Sequence, residues 1–187
     1  MSGIFQKEEV ALDCSFTYIK KLLFESEDLL ARALACTEIS QAALAFGKKY
    51  SQEIIAGFSP PVECRYVSEK VGHGLFTKTA LDEEAFIGEY VGLVREPSCL
   101  HPPNNYLWTY PVKDHLDRSL DINAEPYGNH TRFINHSFSP NLKPLFAHVG
   151  GIFHVILIAI RPIKAEEQLS YDYGKNYWYI RGKPADL

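Results

Sequence analysis

Ser59-Pro60-Pro61 divides this chain into two chemically different parts. Proline lacks the N–H a helix ladder needs, and it pushes the preceding residue out of the helical region. Upstream, Ala, Leu, Lys and Glu are frequent and Gly and Pro nearly absent. Phe16, Ile19 and Leu23 recur at helical spacing, as do Leu30, Ala33 and Leu34 and, less cleanly, Leu44, Phe46 and Tyr50. That periodicity predicts two or three helices. Ser26-Glu27-Asp28 supplies an N-terminal signal for the second, and Thr37, Ile39 and Ser40 open a third. Residues 1–58 are expected to be a helical segment that caps the main domain. The alternative is a dimer or partner surface.

Beyond the prolines, short runs of strand character appear at residues 62–67, 74–77, 86–94, 106–110, 152–160 and 169–171. Gly, Pro, Asn and Asp clusters separate them. Long helices do not alternate with these strands, which excludes a doubly wound parallel sheet. The expected class is mainly β with α (α+β), with small curved sheets over residues 62–180.

At 187 residues, 46% hydrophobic and 22% charged, the chain suits one globular domain with its own core. Lys and Arg number 19 against 23 Asp and Glu, for a net charge of −4. Direct nucleic-acid binding needs a basic face and is not expected; a basic, lysine-rich protein partner is. Cys14, Cys36, Cys64 and Cys99 contain no C-x-x-C pair, which argues against a zinc site and a disulfide framework. Residues 1–10 lack an apolar run behind a basic start, so no secretory signal is expected. The apolar run 152–160 holds His154 and is too short to span a membrane.

Three clusters carry candidate chemistry. In Val71-Gly72-His73-Gly74-Leu75-Phe76 the glycines let backbone approach a ligand closely, although a tight turn is the plainer reading. A third glycine and a following helix are missing, which disfavours a dinucleotide site. Residues 132–141 set Asn135 beside His136, an amide and an imidazole that bond in both directions. A polar loop satisfying buried backbone explains them equally. His130 and His136 have no obvious third metal ligand, and Ser137 lacks a nucleophile elbow. Residues 166–174 alternate Leu169, Tyr171 and Tyr173, so the two tyrosines share a face. Core packing accounts for such a pair. With Tyr90, Tyr106, Tyr177 and Trp178 they could instead line a narrow channel for an alkylammonium or neutral amine.

In this order and spacing the clusters resemble the SET-domain protein lysine methyltransferases over residues 62–178. The matching pieces are Gly72-His73-Gly74-Leu75-Phe76, Gly88-Glu89-Tyr90-Val91-Gly92, Tyr106-Leu107-Trp108, Gly128-Asn129 leading into residues 132–141, and residues 166–174. Arg132-Phe133-Ile134-Asn135-His136-Ser137 with Pro140-Asn141 behind it is the most specific. The resemblance implies a β-clip of small curved sheets with a C-terminal pseudoknot. It further implies S-adenosylmethionine held by Val71, Gly72, His73 and Gly74, mainly through backbone. Tyr106 would lie beside that cofactor, Asn135 and His136 at its amine and adenine, and Trp178 stacked on the adenine. Tyr173 matches the catalytic tyrosine, with Tyr90 and Tyr171 in the lysine channel. A tyrosine at 171, two before the catalytic one, implies a bias toward monomethylation.

The same resemblance implies a basic protein substrate, whether histone, histone-like or ribosomal. The family's cysteine-rich zinc clusters are missing, so no metal is expected, and residues 176–180 are expected to close the site. That likens the chain to the small zinc-free, stand-alone SET proteins of bacteria, the chlamydial kind among them. It would then work in a bacterial cytoplasm or, as a delivered effector, in a host cell and its nucleus. Asp114, Asp117, Glu125 and Glu166 are candidates for an acidic channel rim, or else ordinary solvated charges. The competing expectation is a non-catalytic SET module that binds a protein partner.

Overall fold

The computed structural model describes residues 16–97, 104–179 and 181; Cys14, Cys99 and residues 1–15 of the expected helical segment lie outside these. In chain order the elements are β1 (Thr17–Tyr18), β2 (Leu23–Phe24), α1 (Glu27–Leu34), α2 (Gln41–Ala56), β3 (Val62–Ser68) and β4 (Gly72–Thr77). Then come β5 (Phe86–Glu89), β6 (Leu93–Arg95), β7 (Leu107–Lys113), β8 (Ser119–Asn123) and β9 (Tyr127–Gly128). A single 3-10 turn at His130–Phe133 leads to β10 (Asn135–His136), β11 (Leu142–Val149), β12 (Ile152–Ala159), β13 (Ser170–Tyr171) and α3 (Lys175–Tyr179). No helix among the described residues is long and apolar enough to cross a membrane.

Both expected caps open helices. The Ser26 hydroxyl accepts from the Leu29 N–H at 3.3 Å, and Glu27 and Asp28 occupy the first turn of α1, where the helix dipole favours acids. Ser40 does the same for Ala43 at 3.1 Å, and α2 stops at Gly57, whose φ of 59° suits a left-handed cap. The stripe that α2 buries is Ala43, Gly47, Tyr50 and Ile54; the spacing of Leu44 marked the wrong face, and Leu44 is exposed. A side chain at Gly47 would place its Cβ 2.1 Å from the His148 carbonyl oxygen, so α2 lies almost backbone to backbone on β11.

The helix expected across Phe16, Ile19 and Leu23 does not form. β1 pairs in parallel with β9, and β2 with β6. A segment this short does not repay helix nucleation, so long-range ladder bonds win over local spacing. The run 86–94 is likewise not one strand. β5 belongs to the sheet β11-β12-β5 and β6 to the sheet β2-β6-β8-β7, with Tyr90 to Gly92 crossing between them. β8 and β11 were not anticipated. β11 contains Pro144, which is tolerated because the strand is an edge and that N–H is not required.

Three packed regions make the core. Leu29 and Ala33 of α1 meet Val94, Tyr110, Leu120 and Ile122 of the four-stranded sheet. Tyr50 and Ile54 of α2 cover Phe86, Ala147, Ile156 and Ile158. Leu75, Ile87, Ile134, Leu142, Leu157 and Leu169 fill the space beneath the strand pair that carries the site. Within this framework the Glu89 carboxylate is almost wholly buried and meets His154 Nδ1 at 2.7 Å, while His154 Nε2 faces the Val149 carbonyl at 3.2 Å. His154→Leu leaves that carboxylate without its partner. The expected loss is about 3 kcal/mol in denaturant unfolding, and Glu89→Leu in the same chain should recover much of it.

The site is pinned by residues far apart in sequence. β10 and β13 run parallel, with Asn135 opposite Ser170 and His136 opposite Tyr171. The Ser137 and Asn141 N–H groups donate to the Tyr171 and Ser170 carbonyls, each at 3.2 Å. The buried Asn141 amide donates to the Gln168 carbonyl at 2.8 Å and to Glu167 Oε1 at 3.1 Å, and its oxygen accepts from the Ser170 N–H at 2.9 Å. Burial alone would raise the Glu167 carboxyl, but Arg161, the Lys164 N–H and Asn141 outweigh it and hold the group down at about 2. A folded value below the ordinary 4.5 stabilises the protein above that pH, and the contribution disappears as pH falls from there toward 2. Glu167→Gln should therefore cost on the order of 2 kcal/mol near neutrality and flatten the acid limb of stability, followed by thermal melts from about pH 6 down to 2.

Candidate active site

A cavity of about 540 Å³ opens where the turn into β4, the 3-10 turn, β10 and α3 converge. Val71, Gly72 and His73 form one side. Gly72 has φ 71°, and nothing lies within 4 Å of where its Cβ would be, so bare backbone meets the open space. Tyr106, Asn135, His136, Tyr173 and Trp178 also line it.

Each polar group here is oriented by the chain. The Asn135 amide nitrogen donates to the His73 carbonyl at 2.9 Å, leaving Oδ1 with no partner among the described residues. His136 Nδ1 accepts from the Tyr173 N–H at 3.2 Å, so the ring hydrogen falls on Nε2. That Nε2 is buried and unpartnered among the described residues, as are Trp178 Nε1 and Arg132 Nε and Nη1. The Arg132 guanidinium lies 3.9 Å from the Tyr106 ring centre and 4.3 Å from that of Phe16. These rings favour a cation, but no described carboxylate neutralises it.

Buried donors left over around one cavity would be satisfied by a ligand with several acceptors and an anionic group. S-adenosylmethionine has both, in its adenine and its carboxylate, and its ammonium suits the open Asn135 Oδ1. The residues present fit it.

Tyr173 links this cavity to a second feature. Its hydroxyl donates to the Ile134 carbonyl at 2.8 Å, and its ring lies 4.6 Å from Tyr177 and nearly parallel to Trp178. On its other side it contacts Tyr171 at 4.8 Å, which leads through Trp108 to Tyr90 at 5.5 and 5.4 Å. The Tyr90 hydroxyl donates to the Tyr106 carbonyl at 2.9 Å, while that of Tyr171 has no partner among the described residues. Burial raises all three phenols well above their ordinary value, so they remain protonated and can donate.

Eight of the expected residues thus meet at the cavity, and three do not line it. Gly74 lies beneath Gln168: a Cβ there would be 2.4 Å from the Gln168 amide nitrogen. Tyr90 and Tyr171 belong to the aromatic line behind Tyr173. None of the four acids lines the cavity, and each has another partner. Asp114 is buried on Arg118 and the loop N–H groups of Leu116 and Arg118, Asp117 pairs with Lys113, Glu125 takes the Asn104 amide, and Glu166 pairs with Arg65. Lys70, Asn105, Arg132, Phe133 and Arg181 were not anticipated as cavity residues, and Tyr177, a candidate for the aromatic channel, lines this cavity. Arg132 opens the most specific motif, directly before the apolar pair Phe133-Ile134, and that position was the available signal.

The SET domain family matches residues 72–174, and the chain belongs to that family. Human histone-lysine N-methyltransferase EHMT1 is 35% identical over 124 residues, 63% of this chain and 9% of that protein. Drosophila melanogaster histone-lysine N-methyltransferase Su(var)3-9 is 34% identical over 114 residues, 54% of this chain and 18% of that protein. The chain therefore spans less than a fifth of the length of these relatives. Among solved structures, ATXR5 in complex with histone H3.1 mono-methylated on R26 superposes with a TM-score of 0.67 at 21% identity, covering 86% of this chain and 81% of that one. That likeness is one of fold. An active polycomb repressive complex 2 in the stimulated state gives 0.57 at 27% identity, covering 66% and 16%.

Proposed function

We propose that the protein is an S-adenosylmethionine-dependent protein-lysine N-methyltransferase that acts on a basic protein such as a histone and favours addition of the first methyl group. The observation that carries this is the position of Tyr173, shared between the cavity with its unpartnered donors and the line of aromatic rings. The names of the relatives support it. In this scheme α1 and α2 serve as a helical cap, and residues 62–180 as the catalytic domain.

When bound, the cofactor supplies an activated methyl group on a sulfonium. Arg132 offers its unpaired cation to the carboxylate and Asn135 its Oδ1 to the ammonium, while His136 and Trp178 offer ring N–H donors to the adenine end. The aromatic walls exclude water and disfavour a charged amine, lowering a lysine whose ordinary value is about 10.4. Tyr173 holds the neutral amine in line for displacement. The unpaired Tyr171 hydroxyl takes up space and hydrogen-bonding capacity that an already methylated amine would need. Mass spectrometry of core histones after reaction tests the scheme. The unsubstituted protein should leave mainly monomethyl-lysine, and Tyr171→Phe should shift the product to di- and trimethyl forms. Identical product states in the two proteins would remove the assigned preference, and unmodified histones would count against that substrate.

A further inference from the structure

Two segments far apart in sequence line the cavity, Asn105 with Tyr106 and Tyr177 with Trp178 and Arg181. Arg181 joins them. Its Nε donates to Asn105 Oδ1 at 3.1 Å, Nη2 to the Asn104 carbonyl, and Nη1 to the Tyr177 carbonyl at 3.1 Å. The guanidinium also lies 4.1 Å from the Tyr177 ring centre. The segment it grips is fixed: the Asn104 amide donates to Asn123 Oδ1 at 2.8 Å and Glu125 Oε2 at 2.9 Å, and its oxygen accepts from the Tyr106 N–H at 2.7 Å. α3, by contrast, buries none of its residues. Beyond the half-buried rings of Tyr177 and Trp178 on Tyr173 and His136, a helix this short relies on polar ties to stay at the cavity.

We infer that Arg181 is a positioning residue that latches α3 to the 104–106 turn and so sets how fast the cofactor and its demethylated product leave. The inference rests on the cofactor assignment above. Three acceptors in different directions match the forked guanidinium, and a lysine ammonium cannot reach them together.

The test is stopped-flow displacement of S-adenosylhomocysteine from the full chain, followed through tryptophan fluorescence, since Trp178 lines the cavity. Arg181→Ala should release it about 10-fold faster or more, the scale of hydrogen bonds from a charged donor. Arg181→Lys should recover little of this. Asn105→Ala should have a smaller effect, and the double variant should be no faster than Arg181→Ala, because both changes break one tie. The melting temperature should hardly move, since α3 adds no buried side chain to the core. Release from Arg181→Ala within about twofold of the unsubstituted protein, or additive effects of the two changes, overturns the latch. Failure of the unsubstituted protein to bind S-adenosylhomocysteine overturns the cofactor assignment and the latch together, and shows in that protein before any substitution is made.

Discussion

Tyr173→Phe should lower the rate of methyl transfer at saturating cofactor by about 100-fold or more, the scale of losing one preorganised hydrogen-bonding group at a reacting centre. Here that group is the hydroxyl oxygen, which faces the amine while its hydrogen is held by the Ile134 carbonyl. The ring contacts with Tyr171, Tyr177 and Trp178 do not involve the hydroxyl, so the walls of the cavity persist. The lost bond to the Ile134 carbonyl should cost about 1 kcal/mol of stability. Cofactor affinity should change little. Burial keeps the phenol protonated, so its part is to orient the amine and not to accept its proton. Single-turnover transfer paired with calorimetric cofactor binding separates these effects. A variant that binds cofactor and turns over within about tenfold of the parent would remove Tyr173 from the catalytic role.

Arg132→Met should act in the opposite way, on binding and not on the core. The guanidinium is buried, rests on aromatic rings and has two nitrogens without partners among the described residues. An uncompensated buried charge costs stability, and a methionine fills much of the same apolar volume. The melting temperature is therefore expected to hold or rise. Affinity for S-adenosylmethionine should fall by about 100-fold, corresponding to a charge-assisted contact with its carboxylate. Calorimetry and thermal melts on the same preparation check both signs. A marked loss of stability with unchanged affinity would make Arg132 a structural cation and leave the cavity's anionic ligand unexplained.

Local signals in the sequence were reliable where local physics decides the outcome. Ser26 and Ser40 open helices because a hydroxyl can satisfy an N–H three residues on without help from the rest of the chain. The apolar run at 152–160 supplies a buried strand, β12, which pairs with its hairpin neighbour β11 on one side and the sequence-distant β5 on the other. Where distant pairing decides, local signals failed. Phe16, Ile19 and Leu23 carry helical spacing, yet Thr17–Tyr18 and Leu23–Phe24 serve as two-residue parallel strands paired with β9 and β6. Lys143 and Pro144 disguised β11, the edge strand against which α2 packs.

The site divides along the same line. Motif order brought Asn135, His136, Tyr173 and Trp178 to one cavity although Asn135 and Trp178 are over forty residues apart. That came from family resemblance, since no periodicity predicts that β13 lies parallel to β10. The four acids, read as a channel rim or as ordinary charges, were ambiguous because a carboxylate's charge is visible in sequence and its partner is not. Asp114, Asp117 and Glu166 are each taken by a basic residue, two of them within four positions and the third a hundred residues away.

Transfer of a labelled methyl group from S-adenosylmethionine to purified core histones tests the central claim most directly. Label on a lysine of a defined histone, absent with Tyr173→Phe, is the predicted result. Cofactor bound at the cavity, with no label on histones or on any protein of a basic bacterial extract, would contradict the claim and favour a SET module that binds its partners without modifying them.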